Sequence, residues 1–168
     1  MSKVLVVCYS RTGKTRGLGE ALAARLHADL EVITEPVDRS GVLGFLRAIF
    51  DTVFARPVQL HAGCRDAAAY ELVVIGTPVW AGTVSAPVRA WLSLNRRKLP
   101  HVAFFCTENA RGETTAFRNM ATLAGKQPVA RCAIKHSLPA DDARRLVDVF
   151  VDRIERKLTH IDHLEWAA

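Results

Sequence analysis

The chain reads as an α/β protein: a doubly wound, five-stranded parallel sheet in the order 2-1-3-4-5, with helices on both faces. Three observations predict this. Apolar runs alternate with helical stripes from one end to the other. Three of the runs are continuously apolar, as strands covered on both faces must be. The other two carry charges within the pattern, as edge strands do to blunt unwanted pairing.

The first strand spans Lys3 to Tyr9 around Val4-Leu5-Val6-Val7, and Leu18, Ala21, Leu22 and Leu26 form the first helical stripe. DLEVIT, from Asp29 to Thr34, is the second strand, with Glu31 marking it as an edge. Leu43, Leu46, Phe50, Val53 and Phe54 predict a second helix. LVVIG, Leu72 to Gly76, is the third strand. The next helix follows Ser85-Ala86-Pro87, where Ser85 suits a cap and Pro87 the first turn, and it buries Val88, Trp91 and Leu92. VAFFC, Val102 to Cys106, is the fourth strand. Phe117, Met120, Ala121 and Ala124 line the helix after it, which Gly125 ends as a left-handed cap. VARCAIK, interrupted by Arg131 and Lys135, is the second edge strand. The last helix opens after Pro139 with Asp141 and Asp142 at its positive end, and carries Leu146, Phe150, Ile154 and Leu158. Residues 159–168 read as a tail that docks on the sheet or on another subunit. The alternative doubly wound order, 3-2-1-4-5-6, would bury the charged second strand and usually needs more chain.

The 168 residues suit one domain, able to bury roughly two-thirds of the unfolded surface without a disulfide or metal staple. With 49% hydrophobic and 24% charged residues there is no apolar run of bilayer length and no leader pattern, so a soluble cytoplasmic protein is expected, with no membrane insertion. Cys8, Cys64, Cys106 and Cys132 form no C-x-x-C pair and read as reduced, buried thiols. The net charge of +6 is dispersed apart from Arg96-Arg97-Lys98, with no stacking aromatics interleaved, which argues against nucleic acid. The six histidines lack ligand spacing, so no metal is expected.

In the 2-1-3-4-5 order, strands 1 and 3 diverge in their connections and open a crevice at their carboxyl ends. The loops around it are SRTGKT, TPVWAGT and TENARG. CYSRTGKT, Cys8 to Thr15, has three readings, all of which place an anion at a helix N-terminus. A nucleotidase P-loop requires glycine where Cys8 stands, and no aspartate ends the third strand to help hold magnesium. A phosphatase loop would substitute Lys14 for a bidentate arginine, and no aspartate is placed as general acid. The third reading is a hydroxyl-rich loop for a flavin phosphate.

Ser10-Arg11-Thr12-Gly13-Lys14-Thr15, together with Gly76-Thr77-Pro78-Val79-Trp80-Ala81-Gly82, resembles the flavodoxin family, and the likeness extends from Lys3 to about Leu158. The resemblance implies FMN as cofactor. The hydroxyls of Ser10, Thr12 and Thr15 and the amides of Arg11 to Thr15 would hold its phosphate, with Gly13 permitting the turn. Trp80 would lie against the isoalloxazine within the loop formed by Thr77, Pro78, Val79, Ala81 and Gly82. Thr107, Glu108, Asn109 and Gly112 would border the ring's pyrimidine edge.

The sequence also departs from the electron-carrier pattern. TENARG has no second aromatic, and Arg11, Lys14 and Arg111 replace an acidic surround, favouring an anionic reduced flavin by Coulomb attraction. The segment from Asp38-Arg39-Ser40-Gly41 to Phe54 is similar to the one after strand 2 in basic or neutral relatives. The resemblance implies a redox protein that passes electrons through bound flavin to a partner protein or small-molecule acceptor. Two alternatives stay open: an NAD(P)H-dependent reductase of quinones or similar acceptors, and an interaction module without tight flavin binding. No catalytic residue and no oligomeric state is singled out.

Overall fold

A computed structural model describes residues 2–34, 65–109 and 111–166. The expected second helix, the Asp38–Gly41 segment and Cys64 lie outside these residues. Six strands are described: β1 (Val4–Cys8), β2 (Asp29–Val32), β3 (Leu72–Trp80), β4 (Thr83–Val84), β5 (His101–Glu108) and β6 (Arg131–Lys135). The parallel path runs β2-β1-β3-β5-β6, and β4 pairs only with β3, antiparallel. With β4 set aside this is the 2-1-3-4-5 order, and the two charge-bearing strands are the edges. In register, Val6 lies between Leu30 and Val74, and Val74 in turn lies beside Ala103.

The strict alternation of a strand assigns its side chains to two cores. Leu5, Val7, Val73, Ile75, Phe104 and Cys106 face one side. There they pack on Val88, Trp91 and Leu92 of α2 (Ala86–Asn95) and on Phe117, Met120 and Ala124 of α3 (Glu113–Ala124). Val4, Val6, Cys8, Val74 and Phe105 face the other side. They meet Leu22 of α1 (Lys14–Arg25) and Phe150, Val151 and Ile154 of α4 (Ala140–Trp166).

Four local expectations are corrected. The third strand does not end at Gly76 but continues to Trp80 and folds back into β4. Ala81 and Gly82 both have positive φ, 47° and 73°, the pair of left-handed residues that a tight type I′ hairpin needs. Pro78 is tolerated because β1 has ended at Cys8, opposite Gly76, leaving that flank of β3 open as on an edge strand. Ser85 precedes α2 but makes no side-chain cap bond; its hydroxyl lies 3.0 Å from Thr77 Oγ1 instead. The tail expected after Leu158 is helix as far as Trp166. Lys3 ties that extension to the sheet, forming ion pairs with Glu71 at 3.0 Å and with Asp162. The buried face of α4 is also shifted, because Leu146 is 45% exposed while Val147 packs against the core.

Gly125 ends α3 in the left-handed conformation, φ 67°, as expected. Gly125→Ala should lower the unfolding free energy by about 1 kcal/mol, because a side chain there adopts a conformation that only glycine enters without penalty. Chemical denaturation checks this.

Candidate functional site

The carboxyl ends of β1, β3 and β5 and the N-terminus of α1 enclose a cavity of roughly 300 Å³. Arg11, Thr12, Lys14 and Thr15 line one part of it, Pro78, Val79, Trp80 and Ala81 a second, and Thr107, Glu108 and Asn109 a third. The three segments singled out in the sequence thus converge on one hollow at the switch point of the sheet.

Gly13 is the N-cap of α1, with φ 86°. A Cβ there would meet nothing within 4 Å, so glycine serves the backbone conformation and not a tight fit. The amides of the first helical turn have no partner within the helix, and no acidic side chain occupies that turn. Ser10 Oγ is buried and has no hydrogen-bond partner among the described residues. A buried hydroxyl without a partner is costly, and beside a helix N-terminus it is suited to an anion's oxygen. Thr15 is buried and its Oγ1 lies 2.8 Å from Thr107 Oγ1, clamping the start of α1 to the end of β5.

Thr77, Gly82 and Gly112 stand behind the wall and not on it. Thr77 is wholly buried; its hydroxyl accepts from the Ser85 amide at 3.1 Å and pairs with the Ser85 hydroxyl. Gly112, φ 137°, packs so closely on the hairpin that a Cβ would stand 2.7 Å from Gly82 Cα and from Val79 Cγ1. The loop after β5 therefore clasps the β3–β4 hairpin, and Gly112 is needed for that approach, whereas a Cβ at Gly82 would meet nothing within 4 Å and glycine there serves its positive φ. Trp80 borders the cavity but is only 7% exposed. Its ring meets Tyr9 edge-on, with centroids 5.4 Å apart and planes at 89°, a favourable aromatic geometry.

Two groups at the site escaped the sequence reading. Tyr9 supports Trp80 from behind. His136, just after β6, lines the cavity and its Nδ1 donates to Asn109 Oδ1. Burial and the nearby Lys14 charge hold the His136 ring below its ordinary pKa, favouring the neutral form. The available signal was topological: the end of the strand that neighbours β5 must lie near the β5 loop.

Cys8 is fully buried, and burial pushes its thiol up to about 12, which removes it as a phosphatase nucleophile. Glu108 is 2% exposed at the end of β5. Burial, and next the adjoining Glu113 carboxylate, raise its pKa; Lys135 Nζ, 3.6 Å from Glu108 Oε1, partly offsets this. A carboxyl whose folded pKa is raised binds more protons in the folded state than in the unfolded state. Stability therefore falls as pH rises from the ordinary carboxylate range through the raised value. Glu108→Gln should flatten that part of the stability profile and leave the variant relatively more stable at its upper end, as urea unfolding at several pH values would measure.

No protein-family model matches the sequence, and no curated protein matches it. Solved structures do. A flavoprotein from Lactobacillus acidophilus in complex with FMN superposes with a TM-score of 0.70 at 19% identity, covering 79% of this chain and 93% of its own. A WrbA-like flavodoxin from Agrobacterium tumefaciens gives 0.65 at 14% identity, covering 95% and 99%. The flavodoxin of Streptococcus pneumoniae gives 0.58 at 15% identity, covering 92% and 98%. The chain has the flavodoxin fold. Within that fold the cavity occupies the crevice at the β1/β3 switch point, the position where doubly wound sheets bind ligands. Among the described residues no helix is long and apolar enough to cross a membrane, and no cluster of side chains could hold a metal ion.

Proposed function

We propose that the protein binds FMN in this cavity and passes electrons through it. The observation that carries the reading is the orphaned, buried Ser10 hydroxyl, which does not itself line the cavity but immediately precedes Arg11 and Thr12, which do, before the glycine-capped N-terminus of α1. Ser10, Thr12 and Thr15, with the amides of Arg11 to Thr15, would hold the phosphate, and Lys14 and Arg11 would add positive charge. Trp80, Val79 and Pro78 would cover the flat apolar ring. Thr107, Glu108 and Asn109 would meet its polar edge, with Asn109 oriented by His136. Thr77, Gly82 and Gly112 would act indirectly, by holding the hairpin and the β5 loop together.

FMN, when bound, supplies a ring that accepts and releases electrons singly or in pairs; the protein's part is placement and electrostatics. The basic rim favours the negatively charged reduced form over the neutral oxidised one. The three described cysteines are free and buried, which suits a reducing, cytoplasmic setting.

A second reading, a reductase that takes electrons from NAD(P)H and gives them to a quinone or similar small acceptor, is favoured by one feature. The loop after β5 contains no aromatic residue to cover the ring's other face. The test is a titration of ligand-free protein with FMN, followed by NAD(P)H oxidation with and without a quinone. A perturbed flavin spectrum and quenched flavin fluorescence are expected, and their absence would overturn the reading. NAD(P)H turnover by the loaded protein would select the reductase; no turnover would select the carrier.

A further inference from the structure

The flavin reading uses Glu108 only as a neighbour of the ring edge and gives no role to the charges beside it. Glu108 is almost wholly buried, and neither carboxyl oxygen has a donor within hydrogen-bond distance among the described residues. Its carboxyl adjoins that of Glu113 in the first turn of α3. The Glu113 carboxyl is held below its ordinary range first by its own backbone amide and then by the Glu108 carboxyl, and Gly112 N also donates to Glu113 Oε2 at 3.3 Å, which makes Glu113 the ionised member. Lys135, at the end of β6, serves both acids, 3.6 Å from Glu108 and 3.9 Å from Glu113. Two carboxylates beside one ammonium leave one negative charge uncompensated, and of the three groups only Glu108 is buried, while Glu113 and Lys135 are partly exposed. A single shared proton removes that charge, with Glu108 donating to Glu113.

We propose that Glu108 and Glu113 form a proton-sharing pair at the cavity wall, and that an anionic occupant of the cavity binds with uptake of a proton by Glu108. The inference rests on the flavin-binding reading for the identity of the occupant. The physical link is direct. Glu108 borders the cavity, so a negatively charged ligand, or one that covers the remaining solvent path, disfavours its ionised form. At pH values between the free and the occupied pKa of Glu108, where the free pair has lost its shared proton, one proton passes from solvent to a Glu108 oxygen as the ligand enters and returns to solvent when the ligand leaves. By linkage the ligand then binds more tightly at low pH, and the pair compensates a negative charge placed in the cavity.

Other charges facing the site are Lys14 at the start of α1, Arg11 before it, His136 after β6 and Arg111 in the β5 loop. His136 also gains a proton more readily beside an anion, so it adds a pH dependence of the same sign. The phosphate's own second ionisation acts in the opposite sense. Both contributions are common to the wild type and to Glu108→Gln, so the difference between the two proteins isolates Glu108.

The experiment is an FMN titration from about pH 5 to about pH 9 with wild type, Glu108→Gln and Glu113→Gln, read by flavin fluorescence. The ratio of the wild-type to the Glu108→Gln dissociation constant should rise with pH, by up to about tenfold per pH unit within the window between the free and occupied pKa values. In Glu113→Gln the window should move to lower pH, because Glu108 loses the like charge that raises it. Parallel curves for wild type and Glu108→Gln would overturn the proposal. An infrared difference spectrum of the ligand-free proteins gives a readout independent of FMN. A protonated-carboxyl band should persist in wild type above the ordinary carboxylate range and be lost in Glu108→Gln, and its absence from wild type would equally overturn the pair. Failure of every protein to bind FMN, with the infrared band present, would sink the flavin reading and with it the coupling, leaving only the shared proton.

Discussion

Gly76→Ala is expected to destabilise the protein by about 3 kcal/mol, the upper end of the usual cost of overpacking. Gly76 lies in register between Cys8 of β1 and Phe105 of β5. A Cβ there would stand 2.0 Å from Phe105 Cζ and within 2.5 Å of both neighbouring ring carbons. Phe105 is fully buried in the core under α1 and α4, so its ring has no free volume to move into. The glycine therefore makes room for an aromatic side chain that the opposite layer requires. Urea unfolding measures the loss. Phe105→Leu in the Gly76→Ala background should recover part of it, since the two substitutions share one contact and are not additive. An unfolding midpoint unchanged from wild type would show that this layer is not packed as described.

The second large effect is on ligand affinity. Ser10→Ala combined with Thr12→Ala should weaken FMN by about 100-fold or more, because each hydroxyl lost to a charged acceptor costs about 1.5–3 kcal/mol. Riboflavin, which lacks the phosphate, should change much less. Ser10 adds a sharper contrast. Its hydroxyl has no partner among the described residues, so Ser10→Ala alone should leave the ligand-free protein as stable as wild type, or slightly more so. Thr15→Ala behaves differently, because it also breaks the 2.8 Å link to Thr107 and should cost stability as well as affinity. Calorimetry with both flavins, alongside thermal unfolding, separates the two effects.

Much of this architecture was legible because strands and helices obey simple periods. Val4 to Val7, Leu72 to Ile75 and Val102 to Cys106 had to be covered on both faces, and the charges of Glu31, Arg131 and Lys135 marked the edges. Given the order, the switch point and the convergence of the loops followed. What escaped depends on contacts between residues distant in sequence. Ser85 had the right type and position for a cap, yet the buried Thr77 hydroxyl competes for it. Ala81 gave no sign of a left-handed conformation, so the hairpin after Trp80 read as a loop. Gly112 is explained only by its approach to Gly82 and Val79, and His136 by the strand order that sets the end of β6 beside Asn109. The length of α4 was missed because Lys3, at the other end of the chain, anchors Asp162.

On the proposed function, the crevice at the carboxyl ends of β1, β3 and β5 holds FMN by its phosphate. Calorimetric titration of the wild-type protein with FMN and, separately, with riboflavin tests it most directly. One FMN per chain is expected, bound about 100-fold or more tightly than riboflavin, as two or more charge-assisted hydrogen bonds to the phosphate require. Equal affinities for the two flavins, or no binding of either, would contradict it.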